Sequence, residues 1–152
     1  MNGTVVAVCM SRGKGERKKP VAAGELVREH GLAGDAHAGD WRRQVSLLAL
    51  ESIHSMREKG LELSSGDFAE NITTRGIDLT SLAVGTRLGV GDALLEITQI
   101  GKECHTRCAI YYQAGDCVMP REGIFARVLQ GGAVAAGDPV SVQAPPEGSA
   151  PL

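Results

Sequence analysis

Three of the chain's four cysteines lie in one short segment, KECHTRCAIYYQAGDC, which spans residues 102–117. Thiolates and imidazoles bind zinc, and this segment offers four such side chains: Cys104, His105, Cys108 and Cys117. Their intervals do not form the paired knuckles typical of structural zinc sites, and the redox motif Cys-x-x-Cys does not occur. The segment is therefore compatible with a zinc site, a thiol redox pair, one reactive cysteine, or cysteines without a chemical role.

Cys104 has the most cationic sequence neighbours of the three. Lys102, His105 and Arg107 all lie within three positions of it. A thiol becomes a better nucleophile and a better metal ligand when nearby cations lower its pKa. If a single cysteine reacts, we expect it to be Cys104.

Two other segments carry dense polar groups on predicted loops. SRGKGERKKP, at residues 11–20, contains five cations between turn-forming residues, and it is either a solvated loop or an anion-binding loop. GLAGDAHAGD, at residues 31–40, carries Asp35 and His37 and is followed by Arg42 and Arg43. Such a loop either lines a binding site or is an ordinary surface loop with Asx turns.

A glutamate and an asparagine, Glu70 and Asn71, stand side by side between the apolar residues Phe68 and Ile72. A buried pair of this kind needs hydrogen-bond partners. The pair either braces a loop or offers hydrogen bonds to a ligand.

Short apolar runs separated by many of the 20 glycines predict an all-β fold with a few peripheral helices. Residues 4–10, TVVAVCM, are predicted to form a strand with Cys9 buried in it. Two runs flanking Gly91 and Asp92 predict a hairpin, whose second strand places Leu95, Ile97 and Gln99 on one face. Because this strand leads into residues 102–117, the cysteines should lie at the rim of a sheet or barrel.

One helix is predicted at residues 45–60, VSLLALESIHSMREKG, from apolar residues near a period of 3.6 and a stop at Gly60. Its His54 is expected at the surface. ELVREH, at residues 25–30, predicts a helical turn that Gly31 ends. A final strand is predicted near Pro139 to Gln143.

The composition restricts the function as well as the fold. A chain of 152 residues predicts one domain, here residues 1–143, followed by a loose Pro- and Ala-rich tail at residues 144–152. A net charge of −2 and 3% aromatic residues argue against nucleic-acid partners. The sequence shows neither a secretory signal nor an apolar run long enough to cross a membrane, so we expect a cytoplasmic protein without membrane partners.

The ordered set of motifs resembles the MOSC family, named after the C-terminal domain of molybdenum-cofactor sulfurase. The matching pieces are KKPV, GLAGDAHAGDWRRQVSLLALESI, GDFAENITTRGIDL, LAVGTRLGVGDALLEITQIGKEC and GIFARVLQGGAVAAGDPV. The resemblance implies a closed or partly open β-barrel of the stand-alone bacterial kind. It further implies binding of the molybdenum cofactor, a molybdopterin-type small molecule, or transfer of sulfur to it.

The family's cysteine matches Cys104, which the resemblance makes the catalytic residue, either as a molybdenum ligand or as the holder of a persulfide. Residues that would bind the cofactor lie on the matching motifs and the cationic segments: Lys18, Lys19, Asp35, His37, Arg43, Gln44, Glu70, Asn71, Lys102 and Arg127. A sulfur donor or a molybdoenzyme would be the partner. The alternative is a zinc-binding or redox-sensing module built on Cys104, His105, Cys108 and Cys117.

Overall fold

The structure is a computed structural model that describes residues 2–13, 18–36, 38–41, 43–57, 65, 70–100 and 123–143. These ranges contain eleven strands: β1 (Asn2–Met10), β2 (Lys19–Val21), β3 (Ala23–Val27), β4 (Gly31–Leu32), β5 (Val45–Ala49), β6 (Ile72–Arg75), β7 (Arg87–Val90), β8 (Ala93–Ile100), β9 (Ile124–Gln130), β10 (Gly132–Ala135) and β11 (Pro139–Gln143). They also contain the helix α1 (Leu50–Arg57) and a 3₁₀ helix (Leu79–Ser81). None of the helices in these ranges is long and apolar enough to span a bilayer.

Seven strands close into a β-barrel in the order β1-β11-β7-β8-β9-β5-β6, with β6 pairing back to β1. All of these pairs are antiparallel except β5 with β6. Strand β2 adds to β1, and β10, β3 and β4 form a smaller separate sheet. Closure leaves no free edge among the seven strands. The predicted all-β barrel is confirmed.

The barrel interior is filled by aliphatic side chains from all seven strands, as expected for a chain with few aromatic residues. In β5, Val45 and Leu47 belong to this interior cluster, whereas Ser46 and Leu48 are buried on the opposite, outer face. The smaller sheet adds Leu26, Leu32 and Val134 to the same core, and each fully buried aliphatic side chain contributes about 1.5–3 kcal/mol.

The hairpin between β7 and β8 is formed as predicted. Val90 pairs with Ala93 across the two-residue turn Gly91–Asp92, and Gly91 adopts a positive φ of 57°. A Cβ atom at this position would lie 2.6 Å from the carbonyl oxygen of Ala133. Backbone angle and close packing therefore both require glycine here. The predicted first and last strands are also present, Cys9 is buried, and His54 is exposed.

The predicted helix over residues 45–60 is wrong in its first part, because residues 45–49 form the strand β5. This strand lies between β6 and β9 and is buried on both faces, so its apolar run does not alternate as that of a half-exposed strand does. The helix itself begins at Leu50. Residues 25–30 likewise form the end of β3 and a turn instead of a helical turn. In both segments, strand pairing overrides the local helical pattern.

The neighbouring threonines of β6 provide a test of buried hydrogen bonding. Thr74 Oγ1 is buried and has no hydrogen-bond partner among the described residues, whereas Thr73 Oγ1 donates to Glu70 Oε2 at 3.0 Å. We expect Thr74→Val to raise the free energy of unfolding by about 1 kcal/mol, because it removes a desolvated hydroxyl group that gains nothing in return. Thr73→Val is the matched control and should lower it by about the same amount. Urea denaturation measures both, and a loss of stability in Thr74→Val would contradict the expectation.

Candidate functional site

A lysine and an aspartate form a fully buried ion pair beside the end of β1. Lys18 Nζ lies 2.8 Å from Asp35 Oδ1, and neither side chain is exposed. The backbone N–H of Ser11 donates to the same oxygen at 3.0 Å, and Lys18 Nζ donates to Ser11 Oγ at 3.2 Å. A buried charge is tolerated only when it is paired and hydrogen-bonded. The pair therefore connects the two polar segments at residues 11–20 and 31–40.

The surroundings of Asp35 favour its charged form. Burial alone raises the pKa of this carboxyl group, but hydrogen bonds from Lys18, from the Ser11 backbone and from Asn71, with the charge of Lys18, outweigh burial. The pKa of Asp35 consequently lies below its usual value of 3.8. Asp35 is ionised at neutral pH and compensates the charge of Lys18 inside the protein.

Asn71 connects three strands through its buried amide. Its Oδ1 accepts hydrogen bonds from the backbone N–H of Ser46 at 3.0 Å and from Ser46 Oγ at 3.2 Å. Its Nδ2 donates to the carbonyl oxygen of Cys9 at 3.2 Å. Ser46 belongs to β5, Cys9 to β1, and Asn71 immediately precedes β6. The side chain thus joins these three strands of the barrel.

Glu70, the other member of the predicted Glu-Asn pair, is also fully buried. Its Oε2 accepts the hydrogen bond from Thr73 Oγ1 already described. Both residues are thus bonded to the protein itself, which favours the bracing role over direct ligand contact.

A register shift in β8 moves Gln99 to the outer face of the barrel. Ile97 pairs with Ala126, but Gln99 pairs with Phe125, so Thr98 is the extra residue of a bulge. Ile97 and Ala126 belong to the interior cluster, and Phe125 does not. The prediction that Gln99 shares a face with Leu95 and Ile97 is therefore wrong, because one added residue reverses the side of every following side chain.

Arg43 lies over this part of the outer face. Its Nε donates to Gln99 Oε1 at 3.1 Å, and its guanidinium carbon lies 5.3 Å from the centre of the Phe125 ring and 6.0 Å from that of Trp41. Phe125 is 6% exposed, whereas Trp41 is 40% exposed. The guanidinium is therefore held by one amide and two aromatic rings, and the indole is partly exposed to solvent.

Arg127 is held differently, by two carboxylates. Its Nε donates to Glu96 Oε1 at 3.1 Å, and its Nη1 donates to Glu29 Oε1 at 3.5 Å. Glu96 is its direct register partner on β8, while Glu29 lies in the turn after β3 with a φ of 54°. The charge of Arg127 is thus largely compensated by the protein.

Gln44 is 1% exposed and joins β9 to the turn after β3. Its Oε1 accepts the backbone N–H of Val128 at 2.9 Å, and its Nε2 donates to Glu29 Oε2 at 3.4 Å. Gln44 therefore holds Glu29 in place for Arg127 and has no free polar atom directed at solvent.

The remaining predicted site residues divide into one that is described and several that are not. Lys19 is exposed on β2, opposite Met10. His37, Lys102 and Cys104 lie outside the described residues, as do the other predicted zinc ligands, His105, Cys108 and Cys117. Within the described part of the chain, no group of three or more His, Cys, Asp or Glu side chains is arranged to hold a metal ion.

Several residues that contact the predicted site residues were not predicted from the sequence: Ser11, Glu29, Trp41, Ser46, Glu96, Gln99 and Phe125. Glu96 could have been found, because the alternation of β8 already directs it away from the core. Glu29 could not, since 98 positions separate it from Arg127 and no local pattern marks the contact.

A separate cavity of about 460 Å³ lies beside the start of α1. The residues lining it are Ala49, Glu51, Ser52, Gly76, Ile77, Asp78, Leu79 and Thr80. None of the predicted site residues is among them. Its carboxylates are already bonded, Glu51 to the backbone N–H of Gly76 and Asp78 to the Thr80 hydroxyl group.

A barrel with these motifs in this order defines the class of the protein: the chain belongs to the MOSC domain family, whose model matches residues 34–141. This family is linked to functions of the molybdenum cofactor. None of the curated proteins is significantly similar to the chain.

Solved structures of bacterial proteins have the same fold. The YuaD protein from Bacillus subtilis is 20% identical, with a TM-score of 0.77 over 93% of this chain and 96% of that one. YiiM from Geobacillus stearothermophilus is 19% identical, with a TM-score of 0.70 over 96% and 77% of the two chains. YiiM from Escherichia coli is 21% identical, with a TM-score of 0.68 over 95% and 71%. At these identities the similarity establishes the fold.

Proposed function

We propose that the protein binds the molybdenum cofactor on the outer face of its barrel, with the Cys104 thiolate as a ligand of molybdenum. The observation that carries the proposal is the family match, which includes both Arg43 and Cys104. Cys104 follows the last residue of β8, Ile100, by four positions, and Gln99 of the same strand holds Arg43. A soft thiolate is a suitable ligand for molybdenum held by sulfur.

The described residues fit such a cofactor in two respects. A pterin is planar and polar, and the 40% exposed indole of Trp41 offers it a stacking face. The phosphate group is anionic, and the guanidinium of Arg43 is a donor of charge-assisted hydrogen bonds. When bound, the cofactor would supply a redox-active metal held by its dithiolene.

The role of the other residues is to hold this surface. Gln99 and Phe125 orient Arg43, and Asn71 with Ser46 fixes the position of β5, the strand that follows Arg43. Lys18 and Asp35 join the flanking loops through their buried pair. In this proposal, Lys18, Asp35 and Asn71 support the site and do not contact the cofactor, which revises the role that the family resemblance implied.

Transfer of sulfur is the second reaction available to the same thiolate. The Cys104 thiolate would attack the outer sulfur of a donor persulfide, forming a new S–S bond as the donor's S–S bond breaks and the donor leaves as a thiolate. Cys104 would then carry the sulfane sulfur. Sulfur carriage and molybdenum ligation would both use the Cys104 sulfur atom. Measuring molybdenum and cyanide-labile sulfur in the purified protein distinguishes the two.

Anaerobic reconstitution with the molybdenum cofactor tests the proposal. The intact protein should retain molybdenum after desalting, and Cys104→Ser should lose nearly all of it, while Cys117→Ser is the matched thiol control and should retain it. Cyanide-labile sulfur that depends on Cys104 would identify sulfur carriage. Equal molybdenum in the intact protein and Cys104→Ser, with no labile sulfur in either, would refute the proposal. Stoichiometric zinc in protein purified without added metal would instead support the zinc-binding alternative.

A further inference from the structure

Lys18, Arg127 and Arg43 differ in whether a carboxylate compensates their charge. Lys18 is paired with Asp35 inside the protein, and Arg127 lies between Glu29 and Glu96. Arg43 contacts a neutral amide and two rings, and no carboxylate of the described residues contacts its guanidinium. A ligand anion would have to compete with carboxylates at the first two, but not at Arg43.

The way in which Arg43 is held leaves its binding edge free. Gln99 accepts from Nε, the nitrogen nearest the chain, so this bond orients the guanidinium without using its two terminal nitrogens. Those terminal N–H groups form the fork that binds phosphate and carboxylate in a bidentate manner. The aromatic rings restrict the orientation of the guanidinium plane, and as neutral groups they do not compensate its charge.

An exposed tryptophan beside this fork adds a second recognition element. The Trp41 ring is 40% exposed, which is high for the largest apolar side chain, and its centre lies 6.0 Å from the Arg43 guanidinium carbon. If a ligand's anionic group binds Arg43, a planar ring attached to that group would lie close enough to stack on the indole. A ligand with both features would thus be bound at two adjacent points.

We propose that Arg43 is the anion-binding residue that selects the ligand of this site, and that Arg127 has a structural role. The ligand class is a planar heteroaromatic ring that carries one phosphate or carboxylate group. The identification of that ring as a pterin rests on the proposed function. The charge of Arg127 serves to join β8, β9 and the turn after β3 through Glu96 and Glu29.

The protein contains its own reporter for the test, because Trp41 is the only tryptophan in the sequence. In the full-length ¹⁵N-labelled protein, the indole N–H therefore gives one NMR signal, whose shift follows binding beside Arg43. The probes are 6-carboxypterin, the uncharged 6-hydroxymethylpterin and inorganic phosphate. We expect 6-carboxypterin to bind more tightly than either of the other two, because it combines the ring with the anion.

Matched arginine variants identify the residue that binds the anion. Arg43→Gln should weaken 6-carboxypterin binding by about 10-fold to 100-fold, as expected for the loss of hydrogen bonds to a charged group. Arg43→Lys should recover part of this loss, because a lysine keeps the charge but lacks the planar fork. Arg127→Gln should leave the dissociation constant within about threefold, since its charge already serves Glu29 and Glu96. Binding of 6-hydroxymethylpterin should be insensitive to all three changes.

Other results would overturn the assignment. Equal 6-carboxypterin affinity in the intact protein and Arg43→Gln, or a larger loss in Arg127→Gln, would reverse the roles of the two arginines. An indole signal that no probe shifts in the intact protein would remove the site. Arg43-dependent binding of 6-carboxypterin in a protein that retains no molybdenum would uphold this inference and refute the proposed function. Molybdenum retention that is unaffected by Arg43→Gln would uphold the proposed function and refute this inference.

Discussion

Replacing Asp35 with asparagine is expected to lower the free energy of unfolding by about 3–5 kcal/mol, the usual effect of removing one partner from a buried ion pair. The asparagine can still accept the N–H of Ser11, but the Lys18 ammonium loses the charge of the carboxylate that lies 2.8 Å from it in a fully buried position. Domains of this size have a total stability of about 5–15 kcal/mol, so the loss would be a large fraction of it. Urea denaturation at neutral pH measures the change.

Two further variants separate the ion pair from general damage to the loop. Lys18→Met with Asp35→Asn removes both charges and keeps the acceptor for Ser11, so the double variant should be more stable than Asp35→Asn alone. Asp40→Asn, five residues further along the same segment and exposed, is the matched control and should change stability by less than about 0.5 kcal/mol. A double variant as unstable as Asp35→Asn would show that the charge of Lys18 is not the cause.

The pH dependence of stability should report the same carboxylate. Because the pKa of Asp35 in the folded protein lies below its usual value of 3.8, the unfolded chain binds this proton at a higher pH than the folded protein does. The stabilisation is therefore complete above the unfolded pKa and is lost as the pH falls through the folded pKa. Asp35→Asn should have a shallower loss of stability below about pH 4, and Asp40→Asn should follow the intact protein.

Replacing Asn71 with leucine is expected to lower the free energy of unfolding by about 3 kcal/mol or more, because several buried groups each lose a hydrogen bond at once. The backbone N–H of Ser46 and the carbonyl of Cys9 would stay buried without the amide that now bonds them. Asp35 would also lose a hydrogen bond that keeps its pKa low. The expected result is a lower urea midpoint together with a reduced acid stability.

Ser46→Ala is the control for Asn71 within the same group of bonds. It removes one hydroxyl that bonds Asn71 and leaves the backbone N–H of residue 46 paired with the Asn71 amide oxygen, so its cost should be only about 1 kcal/mol. Asn71→Asp keeps the acceptor but brings a second carboxylate next to Asp35, and its stability should recover partly as the pH is lowered. An Asn71→Leu variant as stable as Ser46→Ala would show that the amide does not join the strands.

The barrel class and many of its strands followed from the sequence. The hairpin at Gly91 was predictable because a two-residue turn with positive φ leaves little choice of residue. The strand containing Cys9 and the final strand from Pro139 were predictable because apolar β-branched runs between turn residues favour strands. Strand β5 was not, since a strand buried on both faces has the same apolar run as a buried helix.

The candidate site was likewise predictable from the sequence only in part. Residue types, spacing and the family pattern were enough to predict that the cations, the Glu-Asn pair and Cys104 belong to polar segments next to apolar strands. The folded structure shows that Lys18 and Arg127 contact carboxylates, whereas no carboxylate of the described residues contacts Arg43. It also shows that Gln99 faces outward. Both the pairing of a charge and the position of a bulge depend on contacts between residues that are far apart in the sequence. A local pattern of residue types does not contain this information.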